Sequence, residues 1–350
     1  MEKKNKLEAV KEKYGVSFQS KRPSYEKLAL NIKLNLEALL KENSIDFMEV
    51  NYRIKESDSF YEKICRKEKE KSIVINNPFE EIKDICGVRI ICYYITDLKE
   101  IDTIIGENFK VIEREYKANN LKENEFGYLS NHYVVKLKEE WLKLPIIKGL
   151  EDYTAEIQVR TILMHAWADI SHKLNYKQAN TDKPLARKLN QLSALFEIAD
   201  SHFIALKSAS QEKYTKEMKK SKIPDEYNID LMRAIFKEYI KIENIKKVSD
   251  EEIGSLIKLL KGENISPIKL ISYFKIIDEN DIEIVGKEFE SNGIRTKENI
   301  TCYSYTTITL AIMNDSFYKE VSEYHDFTKC IEFKRIREKY KNQISNGIEE

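Results

Sequence analysis

Apolar residues recur at helical spacing over residues 24–43, where Leu28, Ile32, Leu36, Leu39 and Leu40 form one stripe behind Ser24 as the expected cap. The period drops to two over Phe47–Ile54, which predicts a strand, and a charged stretch at 57–70 reads as helix again. The run Asp84–Tyr94 (DICGVRIICYY) is rich in β-branched and aromatic residues, the signature of a buried strand. A helix is expected near 97–106, then short strands around 109–116, 131–137 and 154–160. Thr161–Tyr176 predicts a helix with Ile162, Ala166, Ile170 and Leu174 on one stripe, and a further helix is expected at about 184–208.

The pattern weakens at 209–225, a charged stretch ending near Pro224 that predicts a linker. Beyond it the chain reads as mainly helical. Ser249-Asp-Glu-Glu252 has the form of a capping box, and Ser266-Pro267 that of a second helix start. The layout expected is an α/β domain over 1–208, a linker over 209–225 and a helical domain over 226–350.

Charge, glycine and cysteine content narrow the function classes. The chain has 350 residues, with 59 Lys+Arg against 59 Asp+Glu, so it is no basic nucleic-acid coat, although a local basic groove remains open. Its ten glycines are nowhere closer than Gly286 and Gly293, a spacing that admits neither a P-loop nor a dinucleotide fingerprint. Nucleotide phosphates would have to be held by charged side chains. The five cysteines (Cys65, Cys86, Cys92, Cys302, Cys330) make no C-x-x-C pair and read as reduced thiols of a cytoplasmic protein. No apolar run approaches a membrane span, and the charged start MEKKNKLEAVKEK leads us to expect no secretory leader.

Four stretches carry candidate chemistry. In Ala155–Thr161, alternation puts Glu156, Gln158 and Arg160 on one face and Ile157 and Val159 on the other. That polar face suits a charged ligand, or simply solvent. Asp84 opens the buried strand; with a carboxylate from a neighbouring strand it could hold Mg²⁺, or it could cap a turn. Arg89 lies mid-strand and needs a carboxylate or a phosphate as partner. Arg53 and Lys55 share a strand face, and Ser59, Lys63 and Arg66 share a helix face, an arrangement that suits a polyphosphate clamp or an ordinary solvated basic surface. Last, Gly127 permits an unusual backbone angle beside Tyr128, which could lie against a base or pack in a loop.

In this order the stretches resemble the synthetase domain of the RelA/SpoT homologue family, ATP-dependent pyrophosphokinases that make (p)ppGpp. The motifs are R-x-K-x-x-x-S-x-x-x-K-x-x-R at 53–66, D-x-x-G-x-R at 84–89, G-Y-x-S-x-H at 127–132 and E-I-Q-V-R-T-x-x-M-H-A-W-A at 156–168, followed by His172 and Tyr176-Lys177. The resemblance spans about residues 25–180. It implies a nucleotidyltransferase-like α/β (α+β) fold with a mixed, twisted sheet flanked by helices, ahead of the helical C-terminal domain. It implies ATP held by Arg53, Lys55, Ser59, Lys63, Arg66 and Arg89, and Mg²⁺ held by Asp84 and Glu156. Glu156 would help remove the proton from the acceptor's ribose 3′-hydroxyl, and Tyr128, His132, Gln158 and Arg160 would bind the acceptor, GDP or GTP.

Two departures bear on the acceptor and the architecture. Where family members using free guanine nucleotides have P-K-x-N-G-Y, this chain has Asn124 and Phe126 in place of the Lys and Asn. A toxic branch of the family modifies the 3′ CCA end of tRNA instead, some members carrying a C-terminal antitoxin-like domain, and that is the second expectation. The third is a nucleotide-binding regulator without catalysis, against which the presence of both Asp84 and Glu156 counts. The short stretch ahead of Ser24 predicts no HD-type hydrolase domain; His325-Asp326 reads as chance, and His165 and His172 as part of the helix pattern. The C-terminal region is a candidate contact for a protein trigger, and homo-oligomerisation is left open.

Overall fold

In a computed structural model the described residues are 2–71, 74–116, 130–176, 183–219, 223–242, 248–294, 300–325 and 327–347. They form two compact units, Met1–Ile204 and Ala205–Glu350. The first is a five-stranded mixed sheet in the order β1-β2-β5-β4-β3, with β1 Phe47–Ile54, β2 Cys86–Cys92, β3 Phe109–Tyr116, β4 Asn131–Leu137 and β5 Ala155–Thr161. Only β2 and β5 run parallel; the other pairs are antiparallel.

One face of the sheet is apolar because alternate strand residues are: Val50, Val88, Ile90, Tyr133, Val135, Ile157 and Val159 are all buried. Helix α1 (Glu2–Glu42) packs on β1 and β2, and Leu28, Ile32, Leu36 and Leu40 lie in the same core. Helix α4 (Asp97–Asn108) adds Ile101, Ile104 and Ile105. Between them come α2 (Ser57–Lys71) and the short α3 (Pro78–Glu81). After β4 a single turn, α5 (Glu139–Leu142), precedes β5, and α6 (Ile162–Tyr176) follows it directly.

Three helical expectations change. The first helix begins at Glu2, not at Ser24, with Pro23 inside it, because Val10, Tyr14 and Phe18 continue an apolar stripe at four-residue spacing and are buried. On α6 the stripe through Ile170 is not the buried one: Ile170 is 50% exposed, while Met164 and Ser171 face inward. Helix α7 runs unbroken over Lys183–Lys219, through residues 209–219 where a linker was expected, since this charged stretch is built from strong helix formers.

The second unit is helical throughout its described residues: α8 (Ile229–Tyr239), α9 (Asp250–Gly262), α10 (Pro267–Ile276), α11 (Glu279–Ser291), α12 (Cys302–Met313), α13 (Asp315–Tyr324) and α14 (Ile331–Gly347). Helix α12 is apolar around nearly its whole circumference, and α9, α10, α11, α13 and α14 surround it. The Ser249–Glu252 capping box opens α9, and Ser266 with Pro267 opens α10, as the sequence predicts. No described helix is long and apolar enough to cross a membrane.

Candidate active site

The polar face of the sheet is set by register. Gly87 of β2 pairs with Arg53 of β1 on one side and with Glu156 of β5 on the other. Paired residues point to the same face, so a glycine separates a guanidinium from a carboxylate. A Cβ at Gly87 would meet only the Arg53 carbonyl, at 3.6 Å; the space above it is otherwise open. One pair further along, Arg89 stands beside Gln158, and Gln158 is in turn in register with His132 of β4.

A chain of hydrogen bonds crosses this face. Ser130 Oγ lies 2.7 Å from His132 Nε2, and His132 Nδ1 3.1 Å from Glu156 Oε1. Gln158 Nε2 donates to Glu156 Oε2 at 2.8 Å, and Arg160 Nη2 donates to Gln158 Oε1 at 2.6 Å. Burial pushes the Glu156 carboxyl up, and the field of Asp84 adds to this; the hydrogen bonds from His132 and Gln158 outweigh both and hold it below the ordinary range.

Asp84 occupies the turn before β2. Its Oδ2 is 2.7 Å from Lys63 Nζ of α2 and 3.0 Å from Lys55 Nζ, just past β1. Burial disfavours the ionised form of Asp84, but the two ammonium groups win and lower its pKa. Its Oδ1 is buried without a hydrogen-bond partner among the described residues. So is Arg89 Nε. The orphan acceptor lies in the turn before β2 and the orphan donor within β2, and buried unpaired groups of this kind call for a partner.

Of the residues singled out from sequence, the structure therefore brings Lys55, Lys63 and Asp84 into contact, and Ser130, His132, Glu156, Gln158 and Arg160 into one chain, with Arg89 in register beside it. Arg53, Ser59 and Arg66 are exposed, and Arg66 lies 4.0 Å from Glu70. Tyr128, with Asn124, Phe126 and Gly127, lies outside the described residues. Two groups were not assigned a role from sequence. His165 on α6 lies in the field of both Arg89 and Arg160; burial, with those two charges, lowers its pKa against the pull of Asp169. The motif M-H-A-W-A contains it but does not show where it faces. Asp200 on α7, bonded to Thr161, has no motif at all.

The sequence of residues 52–181 matches the region found in RelA and SpoT proteins. The chain is 30% identical over 158 residues to the GTP pyrophosphokinase YwaC of Bacillus subtilis, covering 44% of this chain and 71% of that protein. It is 31% identical over 153 residues to the GTP pyrophosphokinase YjbM of the same organism, covering 43% of this chain and 68% of that one. Among solved structures, a GTP pyrophosphokinase family protein from Streptococcus pneumoniae superposes with a TM-score of 0.47 at 25% identity, over 56% of this chain and 96% of that one. Small alarmone synthetase 1 from Bacillus subtilis, bound to its product pppGpp, superposes with a TM-score of 0.46 at 27% identity, over 55% and 98%. By the matched region and the likeness to YwaC and YjbM, the chain belongs to the RelA/SpoT family and is an enzyme of its pyrophosphokinase type.

Proposed function

We propose that the protein transfers the β,γ-diphosphate of ATP to the ribose 3′-hydroxyl of GDP or GTP. What carries this reading is the row Arg53–Gly87–Glu156, which sets a carboxylate across open space from a cation, with Asp84 and its two lysines at the same end of the sheet. The relatives' names supply the class of acceptor.

In this reading Lys55, Lys63 and Arg89 grip the triphosphate, with Arg53, Ser59 and Arg66 closing on it from their exposed positions. The acceptor oxygen attacks the β-phosphorus, a new O3′–Pβ bond forms, the bond from Pβ to the bridging oxygen of AMP breaks, and AMP leaves. Glu156 takes the hydroxyl proton, its carboxylate held ionised by the hydrogen bonds from His132 and Gln158. His132 and Gln158 fix the carboxylate's orientation through their hydrogen bonds. Tyr128 would stack the acceptor base, with His132, Gln158 and Arg160 around the acceptor. Such transfer asks the protein mainly for positioning and charge neutralisation.

The donor set fits Mg²⁺: two carboxylates close enough to feel each other's charge, one with a buried oxygen lacking a partner. Mg²⁺ takes one or two carboxylates and fills its shell with waters and phosphate oxygens. Asp84 and Glu156 would hold it, and when bound it would neutralise charge on the donor phosphates.

The test is incubation with ATP labelled in its γ-phosphate, with GDP, GTP and bulk tRNA offered separately. AMP release with label on the guanine nucleotide is expected. Label on tRNA alone would select the second reading, favoured by Asn124 and Phe126 in the acceptor loop. No transfer to any acceptor by folded, nucleotide-binding protein would overturn the catalytic reading.

A further inference from the structure

We infer that Asp200 is a positioning residue of the transfer site, acting through Thr161 on the end of β5 and the first turn of α6. The inference rests on the pyrophosphotransfer reading of the site, and it concerns a side chain that touches none of the groups placed around the substrates.

Thr161 is the last residue of β5 and directly follows Arg160. Strand alternation turns its side chain away from the polar row, and it is fully buried. Its hydroxyl is used twice. Oγ1 accepts the Met164 N–H at 3.2 Å, the bond a cap makes to the first turn of a helix, and donates to Asp200 Oδ2 at 2.8 Å. Asp200 lies on α7, is 3% exposed, and has no ion-pair partner among the described residues.

A buried carboxyl with one neutral donor is a costly way to fill space, and an apolar side chain would pack there more favourably. What an apolar side chain cannot do is hold the hydroxyl proton. With that proton committed to Asp200, the Thr161 oxygen keeps a lone pair aimed at the Met164 amide, so the strand-to-helix corner has one geometry. Two site features hang from that corner. Arg160 immediately precedes it; the Arg160 carbonyl accepts the Cys92 thiol at 3.4 Å, and its guanidinium begins the chain through Gln158 to Glu156. One turn beyond it stands His165, in the field of Arg89 and Arg160. Helix α7 is thus fastened to the strand that bears Glu156, and to α6 by a bond from Trp167 Nε1 to the Leu189 carbonyl at 3.5 Å.

The experiment uses the full chain with Asp200→Ala, Asp200→Asn, Thr161→Val and the double variant Asp200→Ala/Thr161→Val. Asp200→Ala and Thr161→Val should each lower kcat for AMP release about tenfold or more, since small misplacements of reacting groups are expensive. KM for ATP should stay within about twofold, because the interaction is not one made to bound nucleotide. Asp200→Asn, whose amide oxygen accepts the same hydroxyl, should restore kcat. The double variant should be no worse than either single one. Hydrogen exchange in residues 160–165 should quicken in Asp200→Ala while the midpoint of unfolding does not fall. Unchanged kcat in both single variants, additive losses in the double variant, or a lowered midpoint that alone explains the loss would each overturn the inference. If Asp200→Ala does not fold, Thr161→Val decides. If the wild-type protein transfers nothing, the functional reading has failed, and exchange in 160–165 still tests whether Asp200 holds the corner.

Discussion

His132 Nδ1 lies 3.1 Å from Glu156 Oε1, a diagonal contact across β4 and β5, because His132 itself is in register with Gln158. Two strands distant in sequence thus meet on one carboxylate, and Gln158 holds its second oxygen at 2.8 Å. The arrangement keeps Glu156 charged and fixed in orientation, which are the properties a proton acceptor needs.

Replacing Glu156 by Gln keeps the shape and removes the charge. Loss of one well-placed polar group at a reacting centre costs roughly 10²–10³ in rate, so AMP release should fall at least that far. Circular dichroism should stay close to wild type, the melting midpoint at neutral pH should fall only modestly as the charge held by His132 and Gln158 is lost, and ATP should still bind. Wild-type turnover in Glu156→Gln would place the proton acceptor elsewhere.

The Asp84 lysine pair makes a pH prediction. Burial raises the pKa of Asp84, but Lys63 and Lys55 lower it further, below its ordinary value of 3.8. A lowered folded pKa gives stability that is present above the unfolded value and lost as pH falls through the folded one. Lys63→Met removes the nearer cation. Its midpoint of urea unfolding should lie below wild type at neutral pH, and the gap should close as Asp84 protonates in acid. A gap that persists unchanged into acid would show that Lys63 stabilises by packing rather than through Asp84.

Asp200 makes the opposite prediction. Burial raises its pKa above the ordinary 3.8, and the Thr161 hydroxyl offsets only part of that. A raised carboxyl pKa gives stability that is present below the unfolded value and lost as pH rises through the folded one. Among the described residues Asp200 has no cation partner; the Cys92 thiol, whose pKa its charge raises, is driven far up by burial and stays neutral. Asp200→Asn should therefore melt above wild type at neutral pH and converge with it in acid. A variant less stable than wild type at neutral pH would mean that the carboxylate is paired after all.

Much of this was readable from the chain alone. Alternation marks Phe47–Ile54, short strands are expected around 109–116 and 131–137, and the strands have those bounds. The start of α1 was hidden because Pro23 looks like a breaker, while the stripe through Val10, Tyr14 and Phe18 is diluted by charge. Residues 209–219 read as linker by their charge density, yet their Lys, Glu, Gln and Met are good helix formers and the segment is helix. Within the site, alternation put Glu156, Gln158 and Arg160 on one face, yet only the register of β2 on β5 sets Gly87 beside Glu156 and Arg89 beside Gln158. Asp200 was invisible: it is one aspartate on a long helix, and its partner is 39 residues away.

Arg89 allows function to be separated from folding. Its Nε is buried without a partner among the described residues, and a buried, unpartnered polar group lowers stability. If the guanidinium exists for a phosphate, Arg89→Met should leave the protein as stable as wild type or more so, since the aliphatic stem is kept and the orphan donor is gone. The same change should raise KM for ATP by about tenfold or more, the scale of a lost charge-assisted hydrogen bond. Saturating ATP should also protect wild type against thermal unfolding, and protect Arg89→Met less. A variant that is destabilised while its KM for ATP is unchanged would mean that Arg89 serves the sheet and that the triphosphate is held elsewhere.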